Sequence, residues 1–226
     1  MTDLCTLDDY GILAVAGRDA AQFLQGYVTS DLETFNNSRP QALNRPQAPN
    51  EPQTVNEPRT INGPQALPGA ICNIKGRMVT SFIMVRRDDT LLLRMHRPLV
   101  ASAIKFLGKY IVFSKADMAD VSDEWHCYGA PGSGGGLNSS QEPGFALTQS
   151  PQQVNINLGY GEEIWSRTPL AANMDATTWQ NLEVANEIAW VQLATSELFL
   201  PQMFNYHNWG GVDFDKGCYL GQEVVA

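Results

Sequence analysis

The sequence predicts an α+β fold, and three observations carry that prediction. Stretches with strand-like alternation and stretches with helical spacing occur in mixed order, not as a regular strand–helix repeat. "MVTSFIMVRR" and "TLLLRMHR" are separated only by Asp88-Asp89, which marks an antiparallel hairpin and not a parallel crossover. Pro98 then stands where a first helical position belongs, opening "LVASAIKFLGKYIV" with Leu99, Ala103, Phe106, Leu107 and Tyr110 along one face. The 226 residues suffice for one large domain or two small ones.

The other elements follow in order. "TLDDYGILAVA" (6–16) reads as a strand entering a turn at Gly17. "RDAAQFLQGYV" puts Ala20, Phe23 and Leu24 on one helical face, with Gly26 as a stop. Residues 39–68 then divide into five six-residue units, "RPQALN RPQAPN EPQTVN EPRTIN GPQALP", each with proline in second place. A proline in every unit removes a ladder donor and argues against a β-helix. The Pro/Gln/Asn composition predicts an extended, disordered loop insert with no catalytic role. "AICNI" is read as a short strand and "KGR" as a turn. "GAPGSGGGLNSSQEPG" is a flexible loop that lacks the Gly-Lys-Ser/Thr ending of a phosphate-binding loop. Asp175 is placed as the N-cap of a helix over "ATTWQNLEVANEIAWVQL", and the last stretch is turn-rich.

Charge and cysteine usage narrow the function. The formal net charge of -9 argues against a dedicated nucleic-acid binder. Nine of the fifteen Lys and Arg nevertheless fall between Lys75 and Lys115, where the only acids are Asp88 and Asp89. That block reads either as solvated faces or as a surface for an anionic partner. No apolar run has the length of a membrane span, and the acidic N-terminus is unlike a signal peptide, so a cytoplasmic location is expected. Cys5, Cys72, Cys127 and Cys218 show no metal or redox spacing and are expected to be free thiols; no metal site is expected.

Two chemistries remain. In "KGCYLGQE", Lys216 stands two residues from Cys218 and could raise its thiolate fraction, although an isolated Cys near a Lys is more often structural. Tyr10 and the tryptophans Trp125, Trp165, Trp179, Trp190 and Trp209 could supply ring faces to a flat heteroaromatic ligand.

Three stretches, in order and spacing, carry a family resemblance: "FLQGYVTSDL", "KGRMVTSF" and "FLPQMFNYHNWGGVDFDKGCYLGQEVVA", with "KYIVFSK" in support. The chain resembles the YgfZ family of folate-binding, tRNA-modification-linked proteins. That family is related to a mitochondrial iron-sulfur assembly factor and, more distantly, to the T-protein of the glycine cleavage system. The resemblance implies two intertwined α+β subdomains around a central folate cavity, roughly 1–110 and 111–200, with 201–226 as the family motif. It also implies a C-terminal β-barrel that is missing here, so that a fragment or truncated product is expected. Tetrahydrofolate is the implied cofactor and an iron-sulfur client the implied partner, without independent turnover. By position, Tyr10 and Trp179 become the folate-site aromatics. The basic block near Lys75, Arg77, Arg86 and Arg94 is read as charge for the glutamate tail or for a protein or RNA surface, and Cys218, biased by Lys216, as a redox-sensitive or transiently ligating thiol near the cavity. Where the T-protein carries an aspartate pair this sequence has Thr80-Ser81, which argues against aminomethyl transfer by that route.

Overall fold

The computed structural model describes residues 3–35, 66–132 and 145–225. Residues 39–65 of the repeat and 133–144 of the Gly/Ser stretch lie outside the described residues. In chain order come β1 (Cys5–Thr6), β2 (Tyr10–Ala16), α1 (Ala20–Gln25), β3 (Leu67–Cys72), β4 (Met78–Arg87), β5 (Thr90–His96) and α2 (Pro98–Leu107). Then follow β6 (Asp117–Asp120), β7 (His126–Pro131), β8 (Ala146–Gln149), β9 (Gln153–Asn157), β10 (Gly161–Ser166), α3 (Ala176–Ala185) and α4 (Gln222–Val225). The strands make two antiparallel five-stranded sheets, ordered β1-β7-β10-β9-β8 and β3-β4-β5-β2-β6. Neither closes into a barrel among the described residues. The two halves of the chain interlock, because β1 pairs with β7 while β6 pairs with β2.

The period of two along each strand divides the core. Leu13 and Val15 of β2, and Leu91, Leu93 and Met95 of β5, pack under α1 and α2 against Phe23, Leu24, Val100, Ala103 and Leu107. Ile12, Ala14 and Leu92 face the other way, toward the second sheet and the C-terminal turns. Each fully buried Leu, Ile or Phe contributes about 1.5–3 kcal/mol, so these two layers dominate stability. Pro98 opens α2, and the expected faces of Ala20, Phe23 and Leu24 in α1 and of Leu99, Ala103 and Leu107 in α2 are buried. However, α2 stops at Leu107, so Tyr110 lies beyond it, and Phe106 is half-buried. Asp88 (φ 52) and Gly76 (φ 70) take the left-handed turns at the two ends of β4.

Four expectations need correction. The strand read over 6–16 is broken at Asp8-Asp9, where the Tyr10 N–H closes a turn on the Leu7 carbonyl (3.2 Å). That break lets the chain cross from one sheet to the other and leaves Tyr10 at their boundary. The strand read from Ala70 begins at Leu67, inside the stretch assigned to the insert. Proline is tolerated at position 68 because β3 is an edge strand. The Ser30 hydroxyl donates to the Pro68 carbonyl at 2.6 Å. A deletion that extends to residue 68 is therefore expected to melt several degrees below one that stops at 65, a comparison that scanning calorimetry would settle.

The helix read from Ala176 through Leu193 ends at Ala185. The Asp175 carboxylate does cap it, accepting from the Thr177 N–H at 2.8 Å. At its other end the Asn186 N–H bonds back, and Glu187 (φ 57) is left-handed, which stops propagation. Finally, β7 to β10 went unassigned in the sequence. β7 takes the first residues of the stretch read as a flexible loop, where Gly129 and Ala130 pair with Glu163 and Glu162, and Val154 and Ile156 alternate inward in "QVNIN".

Candidate functional site

The break at Asp8-Asp9 and the end of α3 face each other across a cleft of about 560 Å³. Its walls include Tyr10, His96, Trp179, Glu183, Ile188 and Trp190. Its described lining contains the acids Asp8, Asp9 and Glu183 but no lysine or arginine. Among the described residues, no helix is long and apolar enough to cross a membrane, and no three His, Cys, Asp or Glu side chains cluster as metal ligands.

Glu183 organises this cleft. It lies one helical turn after Trp179, so the indole N–H reaches its Oε1 at 3.1 Å. Trp190 Nε1 donates to the same oxygen at 2.8 Å, and the Tyr10 hydroxyl at 3.5 Å. Three aromatic donors thus converge on Oε1, while Oε2 has no hydrogen-bond partner among the described residues. Burial raises the carboxyl above its usual range, and Arg94 opposes that shift. Glu183 was not singled out in the sequence, although the Trp-x-x-x-Glu spacing was there to be read.

Arg94 sits behind the aromatic wall. Strand parity places it beside Leu92 on the face toward the other sheet, where it meets Glu163 of β10. The pair is bidentate, Nε–Oε1 2.7 Å and Nη2–Oε2 2.5 Å, with both side chains 0% exposed. Trp165 Nε1 also donates to Glu163 Oε1, at 2.7 Å. The guanidinium carbon lies 4.1 Å from the ring centroids of both Tyr10 and Trp190.

The residues expected to form one site are distributed over three places. Tyr10 and Trp179 do line the same cleft. Tyr10 is half-buried, but Trp179 is 0% exposed, its ring pressed onto Gly129 and Gly161. A Cβ at Gly129 would come within 2.3 Å of that ring. Trp190, half-buried, offers the more open indole.

Lys75 and Arg77 are exposed on the β3–β4 turn, outside the cleft lining. There the Asn73 carboxamide accepts from both their backbone N–H groups, and the Arg77 guanidinium donates to the Leu198 carbonyl. Arg86 stands at the far end of β4, about 30 Å away at 3.3 Å per residue. The basic block is therefore not one surface.

Cys218 is the one exposed cysteine of the four, all of them free. Burial pushes Cys72 up to about 12. Cys218 opens onto a separate groove of about 540 Å³ with Phe23, Tyr27, Tyr110 and Phe113. Lys216 is buried, and its ammonium donates to the carbonyls of Gln25, Val28 and Ser30 at 2.8, 2.7 and 2.9 Å. Burial lowers it to about 8, which Asp31 and Asp213 oppose. Thr80 and Ser81 are buried as well, and the Ser81 hydroxyl accepts from the Val191 N–H at 2.8 Å.

No family model matches the chain. It is 26% identical over 243 residues to a tRNA-modifying protein YgfZ of Colwellia psychrerythraea, covering 100% of this chain and 67% of that one. Proteins of the same name from Klebsiella pneumoniae (25%) and Escherichia coli (26%) match over 245 residues, 99% of this chain and 66% of theirs. The chain thus spans about two thirds of the length of these curated relatives. Among solved structures, the glycine cleavage system aminomethyltransferase T of Bartonella henselae superimposes with a TM-score of 0.57 at 11% identity, over 99% of this chain and 62% of that one. Along its whole described length, the chain is related to the YgfZ family and shares the fold of a glycine cleavage aminomethyltransferase.

Proposed function

We propose that the cleft between Tyr10, Trp190 and Glu183 binds the ring end of a folate, and that the chain serves tRNA modification, as its relatives' name says of them, by supporting maturation of an iron-sulfur client. The observation that carries this reading is the constellation at Glu183. A carboxylate with one oxygen held by three aromatic donors keeps the other as an acceptor for a ligand N–H, such as the 2-amino group or ring N–H on the 2-amino-4-oxopyrimidine edge of a pterin. Tyr10 and Trp190 beside it supply ring faces for a flat heterocycle. A lining with three acids and no lysine or arginine favours that edge over the anionic glutamate tail.

When bound, tetrahydrofolate supplies one-carbon carriage. The chain's own residues orient the ring and exclude water from it. Trp179 serves as the sealed floor that fixes Glu183, and Lys75 and Arg77 remain available to an anionic partner on a different face. Cys218, in its separate groove, is assigned to contact with the client and not to the folate.

Titration calorimetry with tetrahydrofolate tests this. Wild type is expected to bind in the micromolar range, and Glu183→Gln to lose at least about tenfold, the scale of one charged hydrogen bond. Binding unchanged by Glu183→Gln would remove the cleft from the reading. A flat wild-type titration would favour a scaffold that no longer holds folate.

A second reading has one observation in its favour. Thr80 and Ser81 offer no carboxylate, but Glu183 does, and burial raises its pKa toward the range of a general acid–base group. A one-carbon transferase that uses Glu183 would turn over methylene-tetrahydrofolate with an amine acceptor. The leading reading expects no turnover.

A further inference from the structure

We propose that Arg94 is the positioning residue of this cleft: locked to Glu163 across the two sheets, it sets the Tyr10 and Trp190 rings so that both donate to one oxygen of Glu183 and leave the other open to a ligand. The inference rests on the reading that the cleft binds its ligand through Glu183.

The chain of contacts is continuous. Glu163 is held by Trp165 Nε1 and by the Arg94 fork, at 2.7, 2.7 and 2.5 Å. A bidentate fork fixes the plane of the guanidinium as well as its position. Two rings flank that guanidinium, each with its centroid 4.1 Å from the guanidinium carbon and the two inclined at 80° to one another. The same two rings carry the Tyr10 hydroxyl and the Trp190 N–H that reach Glu183 Oε1. Arg94 does not line the cleft, so it acts through the rings.

Lysine in its place would keep a charge but not the fork. Arg94 also acts on Glu183 electrostatically. The titratable groups around that carboxyl are Arg94 on β5, Glu163 on β10, Tyr10 on β2, Tyr160 before β10 and Tyr206 in the C-terminal turns. Arg94 favours the ionised carboxylate, whereas burial and Glu163 oppose it. Ligand N–H groups bind the ionised form, so binding is lost as pH falls through the Glu183 pKa. Without Arg94 that pKa rises further, and the acid limb moves to higher pH.

The test compares wild type, Arg94→Lys, Arg94→Met and Glu163→Gln, each first checked for retained fold by circular dichroism. Two readouts are taken: tetrahydrofolate affinity against pH by calorimetry, and the Glu183 carboxyl titration with the Trp190 indole resonance by NMR in ligand-free protein. Arg94→Lys is expected to weaken binding about tenfold at neutral pH and to shift the Trp190 resonance. Arg94→Met is expected to move both the acid limb and the Glu183 titration upward. If wild type binds no tetrahydrofolate, the functional reading fails, and the ligand-free NMR still decides this proposal. An unshifted Glu183 titration and an unmoved Trp190 resonance in folded variants would overturn it. Should Arg94→Met not fold, Arg94→Lys and Glu163→Gln carry the Trp190 resonance readout, and Glu163→Gln is expected to move the Glu183 titration downward, because Glu163 raises it.

Discussion

Glu163→Leu is expected to cost about 3–5 kcal/mol of folding stability at neutral pH, the range for stranding one partner of a buried ion pair. Both side chains of the Arg94–Glu163 pair are 0% exposed, so the arginine left behind would have no solvent to return to. Its Nη1 already lacks a hydrogen-bond partner among the described residues, and the substitution would strand the other guanidinium nitrogens too. Trp165 would lose the acceptor of its indole N–H as well. Deprotonation offers no relief, because an arginine keeps its proton at any pH the fold survives.

The pair itself is weak evidence for stability, since burying two ions costs much of what their attraction returns. Arg94→Met with Glu163→Leu is accordingly expected to recover most of the loss, although the cleft would remain poorly set. Denaturant unfolding of the two single variants and the double variant measures the coupling. A Glu163→Leu unfolding free energy within about 1 kcal/mol of wild type would show that water reaches Arg94.

Arg94 also shows where sequence reading stops. A count of charges between Lys75 and Lys115 treats every lysine and arginine as surface. Strand parity, once β5 is placed, turns Arg94 inward with Leu92 while Leu91, Leu93 and Met95 face the helices. Its partner lies 69 residues away in another sheet, and nothing local announces that pairing.

Local rules succeeded where the cause was local. The Asp88-Asp89 hairpin, Pro98 at the start of α2, Asp175 at the cap of α3 and Gly26 at the end of α1 are all where they were read. Likewise, Tyr10 and Trp179 do share a cleft, but only the packing of Trp179 onto Gly129 and Gly161 shows that its faces are covered. Trp190 stood among the aromatic candidates without distinction. What sets it apart is the early stop of α3, which folds it back beside Tyr10.

Lys216→Met is expected to destabilise the fold by about 2–4 kcal/mol while leaving the reactivity of Cys218 nearly unchanged. In the sequence, the lysine two residues before the cysteine looked like its activator. In the fold the two side chains serve different neighbours. The Lys216 ammonium collects the carbonyls of Gln25, Val28 and Ser30, three acceptors for its three N–H donors. These carbonyls belong to the segment that leaves α1 and runs to β3, where the Thr29 hydroxyl donates to the Gly211 carbonyl and its oxygen accepts from the Ala70 N–H.

Lys216 therefore ties the first and last family stretches together, and methionine keeps its length without its donors. Buried carbonyls left without a donor set the size of the loss. Cys218 is exposed on the rim of its groove, whereas Cys5, Cys72 and Cys127 are buried, so native-state alkylation by iodoacetamide reports Cys218. Under conditions where the variant remains folded, its alkylation rate should match wild type within about twofold, because activation requires a cation beside the sulfur. A tenfold slower reaction in folded Lys216→Met would instead place the ammonium on the thiol, and the carbonyl cage would no longer account for this lysine.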